Sequence, residues 1–304
     1  MCRPGPAEPP LGGLGSVRAM ASRAERAVSF GSIAAEYNRL RSGPPNDAVD
    51  WLVPPGCRVA VDLAAGTGLL ARALAARVGE VVAVEPDGRM GSVLREHSAG
   101  VSVVAGRGEA IPLRDQMADG LFISSAWHWM DPELAAPEIA RVLRDGGRFG
   151  VIWTSRDRQV DWIRAIDWLR DPGRARGAGG DRGADSNRGT DSNHGTDSNH
   201  GTGGAPVADD DAPRTPAGWR QVLLPEPSPF GTGQTATFAF SRTMTPDDFL
   251  GMVGTYSGIL TATAADRAAT LDRMRAALAE RFPGAAEIEV PMRSVCWRAD
   301  RLAR

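Results

Sequence analysis

Arg58-Val59-Ala60-Val61-Asp62-Leu63-Ala64-Ala65-Gly66-Thr67-Gly68 is a short apolar run that closes on an acidic residue and a glycine-rich turn. A helical pattern, Leu69 to Arg77, follows at once. A run this brief suits a strand buried on both faces better than a helix. Gly66 and Gly68 let the backbone turn tightly and approach another group with no Cβ in the way. Strand, tight turn and helix in that order open a parallel crossover unit.

The alternation continues downstream. Val81 to Glu85 reads as a second strand and Gly88 to Glu96 as its helix. Val101 to Ala105 is a third strand and Gly120 to Ser125 a fourth. Pro132 to Leu143 is a helix with proline in its first turn, and Asp145-Gly146-Gly147 turns the chain into a fifth strand, Arg148 to Trp153. Upstream, Val28 to Leu40 reads as a helix, and Asn46 caps another that Pro54-Pro55-Gly56 ends. Thr235 to Thr243 and Glu289 to Arg298 are assigned to the same sheet as strands six and seven. Between them lie helices Pro246 to Tyr256 and Ala264 to Phe282. The expected class is α/β, a seven-stranded, mostly parallel sheet with helices on both faces.

Composition sets the domain plan. Residues 1–25 are rich in Pro and Gly and read as a disordered tail; residues 26–171 carry the alternating core. Residues 172–216 read as a low-complexity insertion, in which Asp185-Ser186-Asn187-Arg188-Gly189-Thr190 recurs from Asp191 and again from Asp197. A polar repeat of that kind cannot bury enough apolar surface to offset its ordering entropy. Residues 217–304 are expected to complete the sheet.

Hydrophobic residues make up 42% and charged residues 24% of the 304, which is ordinary for a globular protein. A net charge of −2 gives no electrostatic case for nucleic acid or an anionic membrane as partner. Cys2, Cys57 and Cys296 lie far apart with no metal-ligand spacing, so neither a disulfide framework nor a metal site is expected. His194 and His200 fall in the repeat, where neutral expansion explains them better than metal binding. No run approaches the ~20 apolar residues of a membrane span, and no charged segment precedes an apolar stretch at the N-terminus. A cytoplasmic enzyme acting on a small molecule is the expectation. There is no Lys, so every basic side chain is Arg.

Glu85 ends the second strand nineteen residues after Gly66. An acidic side chain there can accept hydrogen bonds from both hydroxyls of a ribose. A nicotinamide- or flavin-binding oxidoreductase is one alternative, because Gly66 to Ala71 fits G-x-G-x-x-A. Against it stand the acidic Asp62 at the strand end and the lack of a second mononucleotide-binding half after strand five.

The segments Phe30-Gly31-Ser32 with Tyr37 and Arg41, Val61 to Gly68, Val84 to Asp87, Glu109 to Leu113, Trp127 to Asp131 and Arg141 to Gly147 together resemble one family. It is the Rossmann-like class I S-adenosylmethionine-dependent methyltransferases, in the group that includes the trans-aconitate methyltransferases. The resemblance implies S-adenosylmethionine as cofactor, and a C-terminal helical lid in which the pair Pro246 to Tyr256 and Ala264 to Phe282 lies over the active-site mouth. It places Asp62, Ala64, Gly66 and Gly68 around the methionine part, Glu85 on the ribose and Pro86 on the adenine. Gly108 and Glu109 would sit at the adenine edge, and Ser124 and Ser125 beside the sulfonium. A relative that binds the cofactor without catalysing transfer is the other alternative.

For the acceptor, Tyr37 and Arg41 are candidates to bind a carboxylate, since a guanidinium matches its geometry. Trp129 and Tyr256 are candidates to wall the acceptor pocket. His128, just past strand four, is the candidate general base, needed only if the acceptor carries a proton at working pH.

Overall fold

A computed structural model describes residues 29–169 and 222–303. The expected tail (1–25) and insertion (172–216) lie outside the described residues. The strands are β1 (Val59–Leu63), β2 (Glu80–Val84), β3 (Val101–Val104), β4 (Ala118–Ser124), β5 (Leu143–Arg156), β6 (Gln234–Met244) and β7 (Ile288–Asp300). They form one sheet in the order β3-β2-β1-β4-β5-β7-β6. The first five are parallel, and β7 runs antiparallel to both β5 and β6. All five parallel strands therefore end on one edge, where ligands bind in open α/β sheets. Because β7 is reversed, its first residues reach that same edge.

Side-chain alternation explains the two cores. Val61, Leu63, Val82, Val84, Leu121, Ile123 and Val151 face one side, against α5 (Pro132–Val142). Ala60, Val81, Ala83, Phe122 and Ile152 face the other, against α2 (Asn46–Leu52) and α3 (Leu69–Ala75). Asp62 falls on the second face by parity, which drives a carboxyl into an otherwise apolar layer. A third cluster joins α6 (Asp161–Trp168), α7 (Pro246–Gly254) and α9 (Ala264–Arg281) to the ends of β6 and β7 through Ile163, Phe249, Leu250, Met274, Leu278 and Val290. The remaining helices are α1 (Ala34–Leu40), α4 (Gly88–His97) and the short α8 (Ser257–Leu260).

Three local readings change. The expected helix over Val28 to Leu40 opens as a 3-10 turn, Ser29–Ile33, before α1. The turn expected at Asp145-Gly146-Gly147 is absorbed into β5. Ala118 pairs with Leu143 and Gly120 with Arg148, so the residues between bulge out. Gly146 takes φ +72°, and the Arg301 backbone N–H donates to the Gly147 carbonyl at 2.8 Å, which straps the bulge to β7's end. The helix expected from Pro246 to Tyr256 ends at Gly254, with Thr255 as its C-cap. The lid is likewise divided: the α7–α8 junction reaches the active edge, while α9 packs behind α7.

Candidate active site

The carboxyl ends of β1, β2 and β4 build the first half of the site. The turn after β1 is strongly left-handed: Ala64 has φ 55°, Gly66 58° and Gly68 83°. A Cβ on Gly68 would lie 2.8 Å from Leu94 Cγ and 2.9 Å from Ser98 Oγ, so the loop can pack on α4 only with glycine there. Ala64 and Gly68 invite opposite substitutions. Ala64→Gly relieves a left-handed alanine, which costs ~1 kcal/mol or more, and is expected to leave stability unchanged or raise it by up to ~1 kcal/mol. Gly68→Ala adds that strain to a steric clash and is expected to cost ~2 kcal/mol or more. Thermal melts of the pair check both signs, and a clear loss in Ala64→Gly would contradict the strain argument.

Asp62 is fully buried, and neither of its carboxyl oxygens has a hydrogen-bond partner. Burial pushes its pKa up to about 8; the Ala71 backbone N–H opposes this without reaching hydrogen-bond geometry, and the nearby Glu85 charge adds to the rise. The Thr67 hydroxyl in the same loop is also buried without a partner. Orphaned buried polar groups are rare in folded proteins and call for an explanation. A bound ligand with an amino group beside Asp62 supplies one.

Glu85 is only 8% exposed. One carboxylate oxygen accepts from the Gly66 N–H and the other from the Asp87 N–H, each at 2.8 Å. Burial raises its pKa, and those two amides oppose the rise. The side chain thus aims a rigid, twice-anchored carboxylate at the glycine turn with lone pairs to spare. Pro86 beside it is exposed. Gly108 is buried against Met130, whose sulfur would lie 2.6 Å from a Cβ at that position. Glu109 accepts from the Asp131 N–H at 3.1 Å, which ties the segment after β3 to the start of α5.

The second half is a small, partly open cavity lined by residues that include Tyr37, Arg41, Ser124, Ser125, Thr154 and Tyr256. Leu69, directly after Gly68, also lines it, so the cavity abuts the glycine turn. Ser125, like Ala64, is a left-handed non-glycine, at φ 56°, with its N–H held by the Ile152 carbonyl at 2.8 Å. The Arg41 guanidinium lies 3.8 Å from the Tyr256 ring centroid and 5.1 Å from that of Tyr37. Its Nε donates to Thr255 Oγ1 at 2.8 Å and its Nη2 to the Thr255 carbonyl at 3.2 Å. Among the described residues no carboxylate pairs with it.

Two candidates are not brought into this cavity. His128 sits in the 3-10 turn Trp127–Trp129, which folds its ring against Trp129 at 4.4 Å between centroids. Trp129 stands behind the wall, edge-on to Phe30, which is in turn edge-on to Tyr37. Sequence reasoning missed Thr154, Thr255, Met252 and Met292. Thr154 had a readable signal, since it follows Trp153 at the carboxyl end of a buried strand. The others depend on the reversal of β7 and on where α7 stops. Among the described residues no helix is long and apolar enough to cross a membrane, and no three His, Cys, Asp or Glu side chains are placed to hold a metal ion.

Residues 61–151 match the model of the methyltransferase domain family. An uncharacterised methyltransferase of Mycobacterium tuberculosis strain H37Rv is 36% identical over 281 residues, which span 91% of this chain and 98% of that protein. The malonyl-[acyl-carrier protein] O-methyltransferase of Methylococcus capsulatus is 34% identical over 133 residues, 40% of this chain and 48% of that protein. Among solved structures, a candidate type II methyltransferase from Anaeromyxobacter dehalogenans shares the fold at a TM-score of 0.60 with 22% identity, covering 87% of this chain and 99% of that one. The chain belongs to the class I S-adenosylmethionine-dependent methyltransferases, with S-adenosylmethionine as its cofactor.

Proposed function

We propose that the enzyme methylates a carboxylate oxygen of a small acceptor held in the cavity beside Arg41. The observation that carries this reading is the state of that guanidinium. Thr255 takes its Nε and one Nη2 hydrogen, the two tyrosine rings fix its plane, and its Nη1 side remains for the cavity. A planar, pre-oriented donor edge matches a carboxylate bidentately. The O-methyl transfer named for the M. capsulatus relative points the same way.

The cofactor fits the first half of the site. Asp62 would hold its amino group, Gly66 and Gly68 would let the backbone approach the methionine part, and Glu85 would take the ribose hydroxyls. Pro86, Gly108 and Glu109 would border the adenine, and Ser124 and Ser125 the sulfonium. When bound, it supplies an electrophilic methyl group. The chain's own residues then have to bring an oxygen in line and keep water out. A carboxylate is already ionised near neutral pH and needs no proton removed, so the arrangement works without His128 as a base.

The test is a screen of small carboxylic acids and phenols as acceptors, with a radiolabelled methyl donor and alkaline release of volatile methanol as the readout for ester. Arg41→Met is expected to raise the acceptor KM about 30-fold or more, with a smaller change in kcat, in line with the loss of a charge-assisted pair. An alkali-stable product, or an unchanged KM, would overturn the carboxylate reading.

A further inference from the structure

The two halves of the site are joined by Arg72. This residue lies on α3 and faces three elements at once. Its Nη1 donates to the Thr67 carbonyl at 2.9 Å and to Ser98 Oγ at 3.1 Å. Its Nη2 donates to Asn38 Oδ1 at 2.9 Å. Thr67 lies between the two glycines of the cofactor turn. Asn38 lies on α1, immediately after Tyr37 and three residues before Arg41.

Helix α1 itself is lightly anchored, because only Ala34 and Leu40 are fully buried along it. Guanidinium ties add to the packing of Leu40 in holding it. Arg242 donates to the Leu40 carbonyl at 2.6 Å and to Ser42 Oγ at 3.1 Å. Arg41 reaches Thr255, and Arg39 pairs with Asp248 at 2.5 Å across an exposed surface, where such a bridge contributes little. Among the described residues, the hydrogen-bonded tie from α1 to the glycine turn is Arg72. Its guanidinium also feels the buried Asp62 carboxyl, whose charge opposes the lowering of the Arg72 pKa by burial.

We propose that Arg72 is a positioning residue that makes the placement of α1, and with it Tyr37 and Arg41, depend on whether the cofactor turn is occupied. A rigid planar fork passes a shift of the Thr67 carbonyl to Asn38 better than a flexible ammonium could. Filling the turn fixes the Thr67 carbonyl, which fixes the fork and so α1. The acceptor wall is then complete only after the cofactor has bound, and the two ligands bind with positive coupling. The inference rests on the cofactor assignment and not on the identity of the acceptor.

Hydrogen exchange of residues 34–41, followed by mass spectrometry with and without S-adenosylhomocysteine, tests it directly. These amides include the Arg41 N–H that closes on the Tyr37 carbonyl at 2.9 Å. In the unmodified chain, saturation with S-adenosylhomocysteine is expected to slow their exchange about fivefold or more, as local opening becomes rarer. In Arg72→Met the protection is expected to fall below about twofold, with S-adenosylhomocysteine affinity kept within about tenfold. Asn38→Ala leaves the cofactor turn untouched and should lose the protection equally, whereas Asn38→Asp, which still accepts from the guanidinium, should retain it. A merely structural role for Arg72 would leave Asn38→Ala fully protected. Protection that survives both variants, or that is missing in the unmodified chain when S-adenosylhomocysteine binds, overturns the proposal. Failure of S-adenosylhomocysteine to bind at all would instead overturn the cofactor assignment beneath it.

Discussion

Asp62→Asn is expected to stabilise the ligand-free protein and weaken its hold on S-adenosylmethionine at the same time. The unfolded carboxyl titrates near its ordinary value of 3.8, and the buried one at about 8. Between those values the folded state keeps a proton that the unfolded state has released. Stability therefore falls as pH rises through that window, and is lowest above the folded pKa. Asparagine does not titrate and escapes the loss. Near pH 4 the two proteins should melt alike; by pH 9 the variant should gain on the order of 3 kcal/mol, or about 5 °C or more for a chain of this size. Arg72 tempers the effect and Glu85 adds to it, as the two charged groups closest in influence. Calorimetric titration should show affinity for S-adenosylmethionine lowered about 10- to 100-fold, the worth of one charge-assisted hydrogen bond to an ammonium. A variant that melts like the parent at pH 9 would mean the carboxyl is solvated, and unchanged affinity would remove Asp62 from the binding site.

Glu85→Ala should be costlier still for the cofactor. On the proposed ribose role, two hydroxyl hydrogen bonds to a buried carboxylate are at stake, and the same carboxylate holds the Gly66 and Asp87 amides at 2.8 Å each. Loss of about 100- to 1,000-fold in affinity is expected, with a stability cost of only ~1–2 kcal/mol, because water can enter and satisfy the two freed amides. The measurement is titration with S-adenosylmethionine alongside NADH as the rival ligand. Binding of S-adenosylmethionine that survives the substitution would show that the ribose lies elsewhere.

The parallel half of the fold was legible because its signals are local. Val59 to Val61 and Val81 to Val84 are continuous apolar runs, each followed at once by an acidic residue, Asp62 and Glu85, and only a doubly covered sheet buries such strands. β6 and β7 were placed in the right sheet, but the bulge in β5 was not foreseen, because Arg301, which straps it, lies far along the chain. Helix α6 was passed over, although Ile163 and Ile166 mark its buried face. In the site, the glycine turn, Glu85, Arg41 and Tyr256 could be named in advance. Thr255 could not. Its hydroxyl and carbonyl orient Arg41 because α7 stops at Gly254, a glycine signal that the expected helix Pro246 to Tyr256 ran through. His128 and Trp129 looked suited to the cavity from their position after β4, yet the 3-10 turn folds one ring onto the other.

The reversal of β7 has an evolutionary reading. Cofactor contacts are proposed between residues 62 and 125, while the proposed acceptor wall, besides Ser124 and Ser125, draws on Tyr37 and Arg41 before that stretch and on Thr154, Met252, Tyr256 and Met292 after it. An antiparallel last strand returns distant sequence to the active edge without disturbing the parallel strands. On that reading, mutations that reshape the acceptor wall can accumulate in the flanking segments while the glycine turn stays intact. Such a layout uncouples the choice of acceptor from the hold on the methyl donor.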